Sequence, residues 1–256
     1  MDQQGISAAQ FGATASNYLT SAVHSRGADL ERLKAMAARL RPARALDLGC
    51  GAGHVSFAVA QGGARRVTAY DPSVKMLEVV GQAAAARGFA GKIDTCTGAA
   101  EELPFESGTF DLVVSRYSAH HWASVPRALG ECVRVLAPGG WVVIVDVIAP
   151  ENPLFDTALQ VLEFLRDASH VRDYRLSEWS AMFEAAGLGE PAASAWKLSI
   201  DFESWIGRIG TPPDRVAALE SVFSQLPGET RRYFQVAEGN SFVTDSAWVE
   251  ATPHGS

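Results

Sequence analysis

The chain has 256 residues, of which 47% are hydrophobic and 20% are charged, and its formal net charge is −7. This composition is typical of a globular protein with a full hydrophobic core, and it excludes intrinsic disorder. The longest apolar run, Trp141 to Val145, is far shorter than the ~18 residues of a membrane span. The excess of acidic over basic residues gives no support for a nucleic acid partner, since nucleic acids are bound mainly through positive charge.

The cysteines and the first residues of the chain indicate its compartment. Cys50, Cys96 and Cys132 are scattered and show neither a disulfide framework nor a metal-binding spacing. The first ten residues lack the basic segment and the apolar segment of a signal peptide. We therefore expect a cytoplasmic protein without a metal site.

Short apolar runs alternate with amphipathic stretches over the first 150 residues. This rhythm predicts βαβ units and a parallel α/β sheet of the doubly wound type, covered by helices on both faces. In such a sheet the ligand crevice lies at the carboxyl ends of the strands. The predicted strands are 45–49, 66–70, 92–96, 110–115 and 141–148, and the helices between them are 54–61, 74–87 and 125–136.

After Ala149 the alternation changes. We predict helices over 152–168 and 177–186, strands over 192–200 and 241–251, and a mostly helical stretch over 202–233. A core would then comprise about 30–150, 175–200 and 240–256, with 1–29, 151–174 and 201–239 laid over the crevice. The wide apolar face of helix 152–168 has two interpretations, either a lid over a pocket for an apolar or aromatic molecule, or ordinary core packing or a homodimer surface.

The strongest chemical signal is the glycine-rich segment that follows the first strand, Asp47 to His54. Glycines permit a positive φ and a close approach of a ligand to the backbone. The spacing is G-x-G-x-G and differs from the G-x-G-x-x-G of dinucleotide-binding proteins. The segment therefore predicts a ligand-binding turn, and a tight turn without a ligand is the alternative.

A second signal is Asp71, twenty residues after Gly51 and at the end of the second strand. A carboxylate at this place in a doubly wound sheet can accept both hydroxyls of a ribose. The alternative is an ordinary helix-start cluster made by Asp71, Pro72 and Ser73.

The motifs continue in order with Gly98-Ala99-Ala100-Glu101-Glu102-Leu103-Pro104-Phe105 and then with Phe110 to Ser115 and Val135 to Gly140. The series resembles the class I S-adenosylmethionine-dependent methyltransferases. The likeness is to the small-molecule branch that includes the ubiquinone/menaquinone C-methyltransferases and the YcgJ-type proteins. It covers about residues 10–200.

The resemblance implies a Rossmann-like sheet of seven strands, the last one antiparallel, and S-adenosylmethionine as the cofactor, with S-adenosylhomocysteine as its product. Ala99 departs from the family pattern, which has an aspartate for the adenine amino group there. The residues that the resemblance assigns to the cofactor are Tyr18, Asp47, Gly49, Cys50, Gly51, Gly53, Asp71, Pro72, Met76, Ala99, Ala100, Glu101, Ser115 and Arg116.

His120 and His121 follow the fourth strand, on the crevice side. Methyl transfer from a sulfonium needs alignment and, for some acceptors, removal of one proton, a task that suits histidine. Either histidine is a candidate base, and a structural hydrogen-bonded pair is the alternative. Weaker candidates for substrate contact are His24, Tyr117 and His170, each of which has a structural alternative.

These observations predict an enzyme that methylates a small molecule at carbon, oxygen or nitrogen. Two other functions stay open at this point. One is a protein that binds S-adenosylmethionine without catalysis, and the other is a nicotinamide-dependent oxidoreductase, although Gly53 is one position too early for that fingerprint.

Overall fold

The computed structural model describes residues 2–20 and 27–253, and the side chains of all of these except 13–20. The helices are α1 (Gln3–Thr20), α2 (Ala28–Leu40), α3 (His54–Gln61), α4 (Val74–Ala86), α5 (Val125–Val135), α6 (Pro153–Arg166), α7 (Leu176–Ala185), α8 (Phe202–Ile209), α9 (Pro213–Gln225) and α10 (Gly228–Tyr233). The strands are β1 (Arg44–Leu48), β2 (Arg66–Asp71), β3 (Ile93–Thr97), β4 (Phe110–Arg116), β5 (Leu136–Ala149), β6 (Tyr174–Arg175), β7 (Ala192–Ile200) and β8 (Phe242–Ala251). Within the described ranges no helix is both long and apolar enough to span a membrane.

The strands form one mixed sheet in the order β3-β2-β1-β4-β5-β8-β7. The first five are parallel, and β8 runs antiparallel to both of its neighbours. This arrangement confirms the predicted α/β class and the antiparallel last strand. The sheet has eight strands among the described residues and not the seven expected, because the two-residue β6 pairs with the end of β5. A strand of two residues is too short to leave a periodic signal in the sequence.

The order of the strands reverses between β1 and β4, so the carboxyl ends of these strands border a crevice. Strand β5 begins earlier than predicted, at Leu136, because the Pro138-Gly139-Gly140 segment stays in the sheet as an irregularity. Opposite it, Phe110 pairs with Leu136 whereas Leu112 already pairs with Trp141. The extra residues are thus accommodated as a bulge, and the strand is not interrupted.

Each face of the sheet packs against its own helices. Successive strand residues point to opposite faces, and Leu112 and Val114 accordingly lie in one hydrophobic cluster whereas Val113 lies in another. The first cluster includes Leu33 of α2 and Phe57 of α3, and the second is completed by α5 and α7. Burial on both faces explains why the strands are apolar runs without alternation.

A third hydrophobic cluster lies away from the sheet centre and joins α6, α8 and α9. Leu162 of α6 packs there with Phe223 of α9, and both are fully buried. The opposite side of α6 exposes Leu154, Val161 and Phe164 at 42%, 40% and 51%. The predicted wide apolar face is therefore divided, one part forming a core with the neighbouring helices and the other part facing outward. Self-association through the outer part remains a prediction.

Candidate functional site

The carboxyl ends of β1, β2 and β4 border a cavity, which we call the larger cavity, with about 1070 Å³ of empty space including its opening. Its floor is the glycine-rich turn after β1, and α1 covers it. Its lining comprises Gln3, Gln4, Ser7, Phe11, Asp47, Leu48, Gly49, Cys50, Gly51, Ala52, His54, Val55, Tyr70, Asp71, Pro72, Met76, Gly98, Ala99, Ala100, Glu101, Arg116, Tyr117, Ser118, His121, Trp122 and Ala123.

The glycine-rich turn uses its amide donors within the protein. The N–H groups of Gly49 and Cys50 both donate to the carbonyl of Tyr70, at 2.8 and 3.0 Å, and that of Gly51 donates to Asp71 Oδ2 at 2.9 Å. A pyrophosphate site needs such donors turned towards the ligand. This turn is therefore poorly suited to a pyrophosphate, which argues against a nicotinamide dinucleotide.

Asp71 lies at the end of β2 and is 7% exposed. Its Oδ1 accepts the N–H of Ser73 at 2.8 Å, and its Oδ2 accepts that of Gly51, so one carboxylate ties the start of α4 to the glycine turn. Burial raises the pKa of Asp71 to about 6, against these two hydrogen bonds, which lower it. A carboxylate has about four acceptor sites, so lone pairs remain for a ligand.

Asp47 lies inside β1 beside the cavity and is 1% exposed. Its Oδ2 accepts both the N–H and the hydroxyl of Ser56, at 2.8 and 2.6 Å, which anchors the first turn of α3 to the strand. Burial raises the pKa of Asp47 to about 7. The carboxylate predicted for cofactor contact is thus also a structural clamp between β1 and α3.

The far end of the larger cavity is formed by the turn after β3. The Tyr70 hydroxyl lies 3.1 Å from the carbonyl of Ala99 and holds this turn in place. Ala99 and Glu101 line the cavity, and Glu101 Oε1 accepts the N–H of Ser124 at 3.0 Å. The Glu101 carboxylate is therefore the acidic side chain of this turn that faces the larger cavity.

Most of the residues predicted for the cofactor line the larger cavity. Gly53 and Ser115 lie outside its lining; a Cβ on Gly53 would stand 2.9 Å from Val80, so this glycine serves close helix packing. The side chain of Tyr18 and the whole of His24 lie outside the described residues. Two further lining residues, Gln3 and Trp122, were not assigned to the cofactor from the sequence, which favoured packing for Trp122. Trp122 follows the histidine pair directly, which was the available signal, whereas Gln3 had none.

A second cavity, the smaller cavity, adjoins the first and has about 610 Å³ of empty space including its opening. It lies between the strand ends and helices α6 and α8. The lining residues are Phe11, Tyr117, His120, His121, Val147, Glu163, Arg166, Asp173, Leu198, Ile200, Trp205 and Arg208. The walls are therefore largely apolar and aromatic, with charged groups set among them.

The boundary between the two cavities is made by Phe11, Tyr117 and His121, which line both. Tyr117 has φ 51°, in the left-handed region that a bulky side chain rarely adopts. Its hydroxyl lies 3.2 Å from that of Ser246. Such strained residues cluster at binding sites, where the surrounding structure holds them.

The two histidines have different partners and different charge states. His120 has its Nδ1 2.7 Å from Asp146 Oδ1; burial lowers the pKa of His120, but the carboxylates of Asp146, Asp173 and Glu163 together outweigh this effect and raise it to about 9. His121 Nδ1 lies 3.1 Å from the carbonyl of Ser169, and burial together with His120 lowers its pKa to about 4. The rings lie 4.1 Å apart.

His170 is buried, and its Nε2 lies 3.0 Å from Gln160 Oε1. Its ring centroid is 5.8 Å from that of His120, but it lies outside the lining of both cavities. Gln160 in turn donates to the carbonyl of Asp173 at 2.8 Å. His170 therefore belongs to a polar layer behind the smaller cavity.

Comparison with known proteins identifies the family. Residues 46–144 match the family described as methyltransferase domain. The protein YafE of Escherichia coli K12, described as uncharacterized, is 42% identical over 199 residues, which cover 78% of this chain and 95% of that protein. The uncharacterized methyltransferase YcgJ of Bacillus subtilis is 37% identical over 224 residues and 88% of each chain. The crystal structure of YcgJ has a TM-score of 0.81 and covers 87% of this chain and 98% of its own. The chain belongs to the class I S-adenosylmethionine-dependent methyltransferases.

The branch is confirmed as well. A ubiquinone/menaquinone biosynthesis C-methyltransferase of Methylobacterium nodulans is 35% identical over 128 residues, about half of each chain. The protein is therefore an enzyme that transfers a methyl group from S-adenosylmethionine to a small molecule. The nicotinamide alternative finds no support in these relatives.

Proposed function

We propose that the larger cavity binds S-adenosylmethionine and that the smaller cavity binds the methyl acceptor. The observation that carries this proposal is the common boundary of the two cavities at Phe11, Tyr117 and His121. Methyl transfer is an in-line displacement, so the donor and acceptor atoms must meet across a short gap. A boundary shared by two adjoining cavities supplies that meeting point.

The residues of the larger cavity fit this cofactor. Asp71 keeps lone pairs for two ribose hydroxyls, and Met76 offers an apolar surface beside the adenine. A Cβ built on Gly51 would meet no atom within 4 Å, so packing does not demand glycine there and the space belongs to the cavity. When bound, S-adenosylmethionine supplies a methyl group activated by a positively charged sulfur. The buried carboxylates of Asp47 and Asp71 favour a cationic ligand over a pyrophosphate.

The smaller cavity fits an acceptor with an apolar or aromatic body. Val147, Leu198 and Trp205 supply apolar walls, and α6 and α8 separate them from solvent. Exclusion of water strengthens the charge interactions inside the site and protects the sulfonium from hydrolysis. We propose that residues 151–174 and 201–239 act together as the cap that does this.

We propose that His121 receives the proton that the acceptor loses. A carbonyl oxygen can only accept a hydrogen bond, so the contact with Ser169 fixes the proton of neutral His121 on Nδ1 and leaves a lone pair on Nε2. The carboxylate of Asp167, 3.9 Å from Nε2, would stabilise the imidazolium that forms. His120, held by Asp146, lines the smaller cavity beside His121 and contacts the acceptor there.

Titration calorimetry with S-adenosylhomocysteine and with NADH tests the cofactor. We expect micromolar binding of S-adenosylhomocysteine and none of NADH; failure to bind S-adenosylhomocysteine would refute the proposal.

Incubation with methyl-labelled S-adenosylmethionine and a fraction of small metabolites tests the chemistry. Labelled product should form with the native protein and fall by ~10²-fold or more in His121→Ala, the usual contribution of a positioned base, while binding of S-adenosylhomocysteine persists. Undiminished labelling in that variant would exclude His121 as the base.

A further inference from the structure

Three ionisable side chains converge at the wall of the smaller cavity. His120, Asp146 and Asp173 each offer one ligand atom, and these atoms all lie within 4.8 Å of one another. They come from the turn after β4, from β5 and from the segment before β6, so the fold and not a local motif brings them together. Asp146 and Asp173 are 2% and 1% exposed. One imidazole and two carboxylates thus lie together in a largely buried position.

The hydrogen bonds of this cluster are incomplete. Asp146 has hydrogen-bond partners, because its Oδ1 accepts the N–H of Val147 at 2.8 Å and also contacts the His120 ring. Asp173 Oδ2 is buried and has no hydrogen-bond donor among the described residues. Leaving a buried carboxylate oxygen without a partner is costly. Asp173 also lines the smaller cavity, so a cation could reach this oxygen from there.

The charges around the cluster do not balance. The carboxylates that line the smaller cavity or contact its two histidines are Asp146, Glu163, Asp167 and Asp173, and the guanidinium groups that line it are Arg166 and Arg208. The pKa of His120 is about 9, so its imidazolium adds a third positive charge, and the four acids still outnumber the cations by one. With all four acids ionised, a divalent cation that replaced the proton of His120 would bring the sum of charges to zero.

We propose that His120, Asp146 and Asp173 bind one divalent transition-metal ion whose open coordination positions face the smaller cavity. A set of one nitrogen and two carboxylate oxygens suits Mn²⁺, Fe²⁺ or Zn²⁺ better than Ca²⁺. Three protein ligands with open positions are typical of catalytic metal sites. His121 is not among these ligands and stays available as the base.

The role of the ion rests on the proposed function, because it concerns the acceptor in the smaller cavity. A metal ion at this wall would hold an oxygen of the acceptor and favour its deprotonated form. The proposal therefore narrows the acceptor to a molecule that carries a hydroxyl or enol oxygen beside the methylated atom, or as that atom. An amine without such an oxygen would gain nothing from the site.

Binding of Mn²⁺ to the full-length protein, stripped of metals by a chelator, tests the site through electron paramagnetic resonance and calorimetry. We expect one tightly bound Mn²⁺ per chain and tighter binding of Zn²⁺, following the usual order of affinities. Asp173→Asn should weaken binding by about tenfold or more. The matched control is Asp245→Asn, which removes the same charge from a carboxylate that contacts Lys197 and Tyr233 instead, and it should bind Mn²⁺ like the native protein.

Native protein that takes up neither ion at roughly millimolar concentration overturns the proposal, and so does equal uptake by Asp173→Asn. If Asp173→Asn does not fold, His120→Gln provides the same comparison from another ligand. Titration of the same samples with S-adenosylhomocysteine separates the two proposals. Binding of S-adenosylhomocysteine without metal uptake refutes only the metal site, whereas metal uptake without binding of S-adenosylhomocysteine refutes only the proposed function.

Discussion

Replacement of Asp71 by alanine tests the proposal that the larger cavity binds the cofactor, because that proposal depends on this carboxylate. The substitution removes the carboxylate that we expect to accept two ribose hydroxyls. A hydrogen bond to an ionised group contributes ~1.5–3 kcal/mol, so the loss of one such bond weakens binding about 10- to 150-fold, and loss of both weakens it further. The variant also removes the acceptor of the partly buried N–H of Gly51 and of the buried N–H of Ser73. Each of these costs ~1–3 kcal/mol of folding free energy, so a lower melting temperature is expected.

The measurement is a calorimetric titration with S-adenosylhomocysteine, together with thermal unfolding to establish the folded fraction. Asp94→Ala is the control, because Asp94 is an exposed acid that pairs with Arg66 on the neighbouring strand, away from the larger cavity. It should leave the affinity unchanged. If folded Asp71→Ala protein binds S-adenosylhomocysteine within about threefold of the native affinity, Asp71 does not hold the ribose and the reasoning fails.

The remaining predictions concern pH, the glycine turn and the cap. Because ribose hydroxyls donate to the ionised carboxylate, affinity for S-adenosylhomocysteine should fall as the pH drops below about 6 and Asp71 takes up a proton, by at most ~tenfold per pH unit. Calorimetric titrations at several pH values should show this loss of affinity in the native protein. In Asp71→Ala the affinity should change with pH only near pH 7, where Asp47 takes up a proton. Gly51→Ala should cost ~1–2 kcal/mol of stability, since φ is 49°, and should also weaken ligand binding by filling cavity space; unchanged affinity would place the ligand elsewhere. Gly49→Ala should lower the melting temperature more than Gly51→Ala, because its Cβ would collide with the loop after β4. Phe223→Ala should cost ~3–5 kcal/mol, yet the folded fraction should bind S-adenosylhomocysteine normally, because Phe223 lies in the third cluster. A parallel loss of affinity would show that the cap and the larger cavity are coupled.

Much of the fold follows from local signals. The runs that became β1, β2 and β4 are largely apolar, and each lies within one or two residues of its predicted position. Gly49 follows the first of them, and Asp71 ends the second. The stretch 202–233 also divides at its prolines into α8, α9 and α10, because proline cannot continue a helix. The bulge at Pro138-Gly139-Gly140 was not predictable, because pairing with β4 outweighs the local tendency to turn.

The ordered motifs along the chain determined the family and therefore the methyl transfer, because the glycine turn, the acid at the second strand end and the segment 98–105 are each local in sequence. Only the tertiary structure decided how the smaller cavity, which we propose for the acceptor, is built. It joined His120 to Asp146 and Asp173, which are 26 and 53 positions away and belong to no shared motif. In the folded chain the N–H groups of the glycine turn also donate hydrogen bonds to Tyr70 and Asp71. Contacts between residues far apart in sequence arise from packing of the whole chain, and no short pattern encodes them.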